Sequence, residues 1–494
     1  MKILLTYPEV PDTFWSFKHA LPFIGKKATL PPLGLVTVAT MLPNKWEKRL
    51  VDMNTRALKD EEIRWADYVL ISAMAVQRES TRKLIDHCKS LGTRIIAGGP
   101  LFTAEPELFQ DVDHLVLNEA EITLPRFLAD LEQGCAKQVY RAQGQEFADT
   151  TTTPIPMWSL LEMKHYASMA VQFSRGCPHN CEFCNIKTLL GRRPRIKTAE
   201  QIIAELDALR AAGWNGKVFF VDDNFIGNKR YLKDELLPAL IEWQKGKKGM
   251  PFYTEATINL ADDEMLMDMM VEAGFNAVFV GIETPDECAL AETGKSQNIG
   301  RDLQRDIRTL IGKGFEVQGG FIVGFDSDRP PIFERMRDFI QSTGITTAMV
   351  GKLAAMPGTD LFERLKLADR LKGLVSGDNV DGSTNIIPVM GEDALHKGYQ
   401  ELMKHLYAPK HYYKRIRKLL RLYRVPRYHT KMNIQHILAF FRAWFWLGIW
   451  GKERFQYWKL FWWTLFKRPR LIPLAVTLAI YGRHFRLICE KHIL

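Results

Sequence analysis

Arg175-Gly176-Cys177-Pro178-His179-Asn180-Cys181-Glu182-Phe183-Cys184 follows directly on an apolar run, Ser168–Ser174, that reads as a β-strand. The cysteines are spaced C-x3-C-x2-C. Three thiolates this close, with no fourth nearby, can hold a cubane iron–sulfur cluster and leave one iron open. An open iron can bind a substrate or cofactor, whereas a fully ligated cluster mostly passes electrons. A structural zinc site would want a fourth Cys or His at ligand spacing. His179 lies inside the loop, awkwardly placed to close a tetrahedron with its own neighbours. Cys88, Cys135, Cys288 and Cys489 are scattered and give no disulfide framework, which fits a reducing cytoplasm. The start of the chain, Met1–Pro8, is short and proline-broken, and reads as a first strand rather than a signal peptide.

Outward from the cysteines, residues 168–365 repeat strand then helix. Strands are expected at Met169–Phe173, Lys217–Val221, Phe252–Ala256, Ala277–Ile282, Val317–Val323 and Thr347–Leu353, with a helix at Glu200–Ala212. Six such units make a partial (β/α)6 barrel. Polar or glycine residues gather where the strands end: Asp222-Asp223-Asn224, Glu255, Gly281–Thr284, Gly324-Phe325-Asp326 and Met356–Thr359. Barrel active sites are assembled at those carboxyl ends. Any one of these residues alone would more often be a loop polar group or a helix cap.

Residues 1–135 also alternate strand and helix. Lys2–Thr6, Arg49–Asp52, Tyr68–Ser72, Arg94–Ala97 and His114–Leu117 read as strands, and Leu35–Leu42, Arg78–Leu91 and Leu124–Leu131 as helices. That alternation implies a doubly wound parallel sheet, with its ligand beyond the strand carboxyl ends. The turns Ser72–Gln77, Gly98-Gly99-Pro100 and Asn118–Glu121 stand there. From glycine spacing alone, ligand approach and tight-turn chemistry are not separable. Residues 136–167 read as a linker rich in Thr and Pro, and 366–410 as a mixed helical and loop segment with a turn at Ser376–Asn379.

The tail, 411–494, carries 18 Lys and Arg against 2 Asp and Glu, while the rest of the chain carries 49 against 55. Its basic run (Lys414, Arg415, Arg417, Lys418, Arg421, Arg424 and Arg427) is followed by aromatics, and six of the chain's twelve Trp lie between 444 and 463. Charges interrupt every apolar stretch before the roughly 20 residues of a bilayer span. Interfacial helices on an anionic membrane are therefore expected. Packing of these aromatics on the barrel is the alternative. RNA binding is disfavoured by the aliphatic surface that accompanies the basic residues.

The order of parts resembles the cobalamin (B12)-dependent radical S-adenosylmethionine (SAM) enzymes, in the branch containing the hopanoid C-2 methylase. In the first module the resemblance rests on Leu30–Leu35 and Gly98-Gly99-Pro100. In the barrel it rests on the cysteine run, Phe220–Asn228, Phe279–Pro285 and Gly320–Asp326. It covers residues 1 to about 405. It implies a Rossmann-like cobalamin-binding domain, a partial radical SAM barrel and a helical C-terminal extension. Cys177, Cys181 and Cys184 would hold a [4Fe–4S] cluster whose open iron chelates SAM. Phe183 would lie against the adenine, and Asp222, Asp223, Asn224, Glu283 and Gly324 would stand in the SAM site. Ser72, Gln77, Gly98, Gly99 and Pro100 would be cobalamin contacts. No D-x-H-x-x-G motif is present, and His19, His87 and His114 have the wrong context for an axial ligand, so base-off binding is implied. The implied activity is methylation of an unactivated carbon, on a small-molecule or lipid substrate such as a hopanoid or isoprenoid, with an external flavodoxin- or ferredoxin-type electron donor. Non-methylating radical chemistry and RNA modification are the alternatives. The location expected is the cytoplasm, peripheral on the inner face of the membrane.

Overall fold

The computed structural model describes residues 1–144, 146–245, 249–378, 380–425 and 434–494. Asn379 of the expected turn and Arg427 of the basic run lie outside the described residues. The chain forms two compact units. The first is Met1–Pro11, Lys27–Pro178 and Asn185–Trp214; the second is Asp12–Lys26, His179–Cys184 and Asn215–Leu494.

The first unit is built on six parallel strands: β1 (Lys2–Tyr7), β2 (Glu47–Asp52), β3 (Tyr68–Ser72), β4 (Arg94–Gly98), β5 (His114–Val116) and β6 (Val139–Tyr140). Their order is β2-β1-β3-β4-β5-β6. Five were legible as short apolar runs; β6 is two residues long and lies in the stretch read as a linker. Both faces of the sheet are covered. Leu4, Val69, Ile71, Ile95 and Ala97 pack on one side, and Ile3, Leu5, Leu70 and Ile96 on the other. That two-sided burial is why the strands read as continuous apolar runs rather than alternating ones. The order reverses between β1 and β3, the switch point where doubly wound sheets take their ligands. The unit continues through β7 (Ser168–Val171), every residue of which is buried, and the short antiparallel pair β8 (Ser174–Arg175) and β9 (Arg195–Ile196). Helix Ala199–Ala211 follows, opened by a capping box between Thr198 and Gln201.

In the second unit β10 (Lys217–Phe220), β11 (Phe252–Glu255), β12 (Phe275–Glu283), β13 (Glu316–Val323) and β14 (Ala348–Lys352) run parallel, each beside the next. Helices Glu264–Glu272, Leu303–Lys313 and Ile332–Thr343 connect β11 to β14. On β12, Val278, Val280 and Ile282 are fully buried, while Phe279 and Gly281 on the opposite face keep some exposure. Pairing in register places Tyr253 beside Ala277, Glu255 beside Phe279, and Gln318 beside Phe279 from the other side.

The segment 12–26 joins this unit rather than the first. Phe14 stacks on Phe485 at 4.1 Å and accepts a hydrogen bond through its carbonyl from His484 (2.9 Å); Asp12 pairs with Lys491 (2.9 Å). The tail forms helices Glu392–Tyr407, Pro409–Leu422, Ile434–Phe445, Arg454–Lys467 and Ile472–His492. Part of its aromatic content is core: Tyr412, Tyr413 and Tyr457 are buried, and the Tyr412 hydroxyl donates to the Leu478 carbonyl (2.8 Å). Another part faces outward, with Trp450 70 %, Phe455 73 % and Phe466 76 % exposed. One expectation is corrected here. The helical stretch Pro469–His492, 24 residues, is long and apolar enough to cross a membrane by length and composition. Its apolar window is 61 % buried within the protein, as in a core helix. Pro473 sits in its first turn, where proline is tolerated. Arg486, which interrupts the apolar run in the sequence, is neutralised by Glu453 at 2.9 Å.

Candidate functional site

The cysteine run leaves β8 through Gly176, whose φ is +95°. A Cβ there would stand 2.8 Å from the Arg193 carbonyl oxygen and 2.9 Å from that of Gly191, so only glycine fits. The Cys177 amide donates to the Gly191 carbonyl (3.2 Å). Arg175 is clamped by two carboxylates: its guanidinium donates to Glu119 (2.8 Å) and Glu121 (2.8 Å). Glu119 also accepts from Arg195 (3.0 Å) and from the Ala148 amide (2.9 Å). The turn Asn118–Glu121, open in the sequence to a ligand or a tight-turn reading, thus holds the arginine that precedes the cysteines. Burial opposes ionisation of Glu121, but the hydrogen bond and charge of Arg175, with the Thr153 hydroxyl, bring its pKa down to about 2.

The remainder of the run belongs to the second unit. The Glu182 amide donates to the Thr293 carbonyl (2.9 Å), and the Glu182 carboxylate accepts from Arg364 (2.5 and 3.1 Å). Arg364 continues to Asp326 (2.7 Å), which Arg370 also holds (2.7 Å). Phe183 packs on an apolar cluster containing Ala289, Phe325, Leu353 and Leu361. Cys177 and Cys184 are half-buried, Cys181 is buried, and none is in a disulfide. Gln297 donates to the Cys181 sulfur at 3.9 Å. Lys295 is buried and pairs with Glu283 (2.6 Å). Burial works against its charge, but Glu283, Cys181 and Cys184 hold its pKa above the ordinary lysine value.

Among the described residues, no three His, Cys, Asp or Glu side chains are gathered around one ion position. A cubane does not require that, because each thiolate binds its own iron. Three thiols outside any disulfide, with a buried ammonium beside two of them, fit a cluster of negative charge.

The strand ends carry the other expected residues. Asp222 and Asn224, after β10, are buried, and Asn224 accepts from the Thr257 amide at 3.3 Å. Glu283 closes β12 with φ +63°, in the left-handed region. A Cβ at Gly281 would stand 2.5 Å from the Glu283 carboxylate and 2.8 Å from the Lys295 ammonium, so this glycine makes room for the pair. Gly324, φ +104°, follows β13 directly, its amide donating to Asp328 (2.8 Å). Sequence reading placed Glu255 among the strand-end polar groups without a role. Burial, with the charges of Asp223 and Asp222, pushes its pKa up to about 8. It is therefore protonated at neutral pH and can donate a hydrogen bond. Lys295, Gln297 and Asn298, the last donating to the Ile282 carbonyl (3.0 Å), were not singled out from sequence. Nothing in their local pattern marks them.

Glu255→Gln tests this environment. A carboxyl whose pKa is raised on folding loses stability as pH climbs from the unfolded value towards the folded one. The variant should remove that slope between pH 5 and 8. It should also gain about 1–2 kcal/mol at pH 7, after allowance for solvent screening of a half-buried group. Urea midpoints across the range measure both.

In the first unit, Ser72 ends β3, and a Cβ on Gly99 (φ +91°) would lie 2.6 Å from its hydroxyl oxygen. Ser72, Gly98, Gly99 and Pro100 therefore come together at neighbouring strand ends. Gln77 is fully buried. Its amide donates to the Pro8 carbonyl (2.6 Å) and accepts from the Met74 amide (2.9 Å), tying the end of β1 to the turn after β3. The three histidines of the N-terminal stretch have local partners: His19 with Asp12 (3.2 Å), His87 with Asp60 (3.0 Å), His114 with the Lys137 carbonyl (2.8 Å).

Three family models match: B12 binding domain over residues 26–128, Radical SAM superfamily over 171–340, and a domain of unknown function over 359–493. An uncharacterized methyltransferase of Synechocystis sp. is 42 % identical, covering 98 % of this chain and 91 % of that protein. The hopanoid C-2 methylase of Rhodopseudomonas palustris is 34 % identical, covering 93 % and 88 %. Among solved structures, the cobalamin-dependent S-adenosylmethionine radical enzyme OxsB with aqua-cobalamin bound aligns at TM-score 0.64, with 15 % identity, over 99 % of this chain and 79 % of that one. The methyltransferase TsrM from Kitasatospora setae, with cobalamin and a [4Fe–4S] cluster bound, aligns at 0.56 with 14 % identity over 74 % and 75 %. The structures share the fold; the two relatives share the sequence over nearly its whole length. With both cofactor modules in this order and with those relatives, the chain belongs to the cobalamin-dependent radical SAM methyltransferases, enzymes that work with a [4Fe–4S] cluster, S-adenosylmethionine and cobalamin.

Proposed function

We propose that the protein methylates an unactivated carbon of an apolar, membrane-associated lipid such as a hopanoid or another isoprenoid. The observation that carries this is the inner face of β10–β14. Phe219 stacks on Tyr253 at 4.6 Å; Phe279 follows on the next strand, with Trp15 edge-on to it at 5.5 Å and the Trp15 indole donating to Met349 (2.7 Å). All five side chains are half-buried, so this stretch of the face is largely apolar and still partly open, with Glu255 and Gln318 as the polar groups paired beside Phe279. Such a lining suits a hydrocarbon and offers little to a charged substrate. The 34 % identity to a hopanoid C-2 methylase supports the same substrate class.

In this reading Cys177, Cys181 and Cys184 hold the cluster, and Lys295 offsets its charge. Phe183, Asp222, Asp223, Asn224, Glu283 and Gly324 form the SAM site. Ser72, Gly98, Gly99 and Pro100 contact cobalamin, with Gln77 fixing the loop behind them. When bound, the cluster with SAM supplies a hydrogen-abstracting radical, and cobalamin carries the methyl group. The chain's own work is to orient these groups and to keep water from the inner face. A flavodoxin- or ferredoxin-type protein supplies electrons in the cytoplasm.

Reduced, cofactor-reconstituted protein given SAM and a hopanoid should consume two SAM per methylated product. S-adenosylhomocysteine and 5′-deoxyadenosine should appear in equal amounts. Accumulation of 5′-deoxyadenosine with no methylated lipid, across a panel of hopanoids and isoprenoids, would remove the lipid-methylase reading.

A further inference from the structure

Two helices of the tail place an unneutralised cation cluster beside exposed rings. Lys414, Arg417 and Arg421 recur at helical spacing on Pro409–Leu422, and Lys459 and Trp463 on Arg454–Lys467. Together these five side chains line a surface cleft of about 350 Å³. Arg421 lies over the Trp463 ring at 5.4 Å. Among the described residues, no carboxylate pairs with any of the four cations. The Nη1 of Arg417 is buried without a hydrogen-bond partner. Like charges this close repel one another, and a bound anion would relieve that repulsion.

The surroundings identify the anion. On Arg454–Lys467, Phe455, Lys459, Trp462, Trp463 and Phe466 fall within about 100° of arc at 3.6 residues per turn. Phe455, Trp462 and Phe466, 73 %, 49 % and 76 % exposed, therefore flank the cleft on one helix face. Solvent-facing rings beside a cationic cleft match the boundary between headgroups and acyl chains.

We propose that this cleft binds the phosphate of an anionic phospholipid, seating the tail on a bilayer surface with Phe455, Trp462 and Phe466 inserted. The inference goes beyond the methylase reading and does not depend on which molecule is methylated.

The test uses the full-length, cofactor-loaded protein and co-sedimentation with vesicles. One set is pure phosphatidylcholine; the other is a phosphatidylglycerol–phosphatidylcholine mixture. The protein should partition onto the mixed vesicles, and less so at high ionic strength. The variant R417Q/R421Q/K459Q should lose about 100-fold in partition coefficient, from three cations near an anionic surface. F455S/W462S/F466S should lose binding to the mixed vesicles while keeping an affinity for soluble glycerol phosphate. Cluster absorption and circular dichroism report that each variant is folded. The proposal fails if the triple-charge variant binds mixed vesicles as the parent does. It also fails if the parent ignores vesicles but binds inorganic phosphate alone, or if single-stranded RNA displaces it from mixed vesicles at equal phosphate concentration.

Discussion

Cys177→Ala, Cys181→Ala and Cys184→Ala, each alone, should reduce 5′-deoxyadenosine formation to the level of a protein-free control. A cluster with an open iron has no spare ligand: losing one thiolate exposes a second iron and removes the site's asymmetry. The loss should therefore be equal at the three positions, although Cys181 is buried and the other two are half-buried. Iron and sulfide content after anaerobic reconstitution gives the direct readout. Reductive SAM cleavage that survives any one substitution would contradict the assignment of these thiols as the cluster ligands.

Glu119→Gln should be the most destabilising conservative change in the first unit. The Glu119 carboxylate, 5 % exposed, lies between Arg175 and Arg195, which are 13 % and 17 % exposed. Removing one partner of a buried pair leaves an uncompensated charge and costs about 3–5 kcal/mol. Here two guanidiniums lose a partner, though Arg175 keeps Glu121. Urea unfolding measures the cost, and reduced cluster loading should accompany it because Arg175 anchors the strand before Cys177. The clamp also sets an acid limit. Glu121 has a folded pKa of about 2 against an ordinary 4.5. Its stabilisation is complete above pH 4.5 and is lost as pH falls towards 2, by about 3 kcal/mol at the extreme. Glu121→Gln should flatten that part of the stability profile; an unchanged profile would mean that Arg175 does not hold the carboxylate.

Most strands of both sheets were legible as short apolar runs bounded by turn residues, β6 being the exception, and in the first sheet burial on both faces made those runs continuous. Lys2–Tyr7, Tyr68–Ser72, Arg94–Gly98 and Glu316–Val323 differ from their sequence readings by at most one residue at either end. The cysteine loop was legible because its spacing is local. What escaped is what depends on distant partners. Segment 12–26 carries no helix or strand period, and its place in the second unit rests on contacts such as Phe14 with Phe485 and Asp12 with Lys491. Lys295 has no motif; its meaning comes from Glu283, twelve residues earlier, across a left-handed bend. The tail mixes two kinds of aromatic residue that composition cannot separate, the buried Tyr412 and Tyr413 and the exposed Phe455 and Phe466.

Along β12, Phe279 stands in the regular part of the strand, while Glu283 closes it beyond an irregularity in the pairing with β13. Beside Phe279, Gly320 offers no side chain, and a Cβ there would meet the Phe279 ring at 2.8 Å and Met349 at 3.8 Å. Gly320 is thus what leaves the Phe279 ring its place, and any larger residue there would push that ring aside. If the proposed lipid site is right, libraries that vary Phe219, Tyr253, Phe279 and Met349 should change which acceptors are methylated.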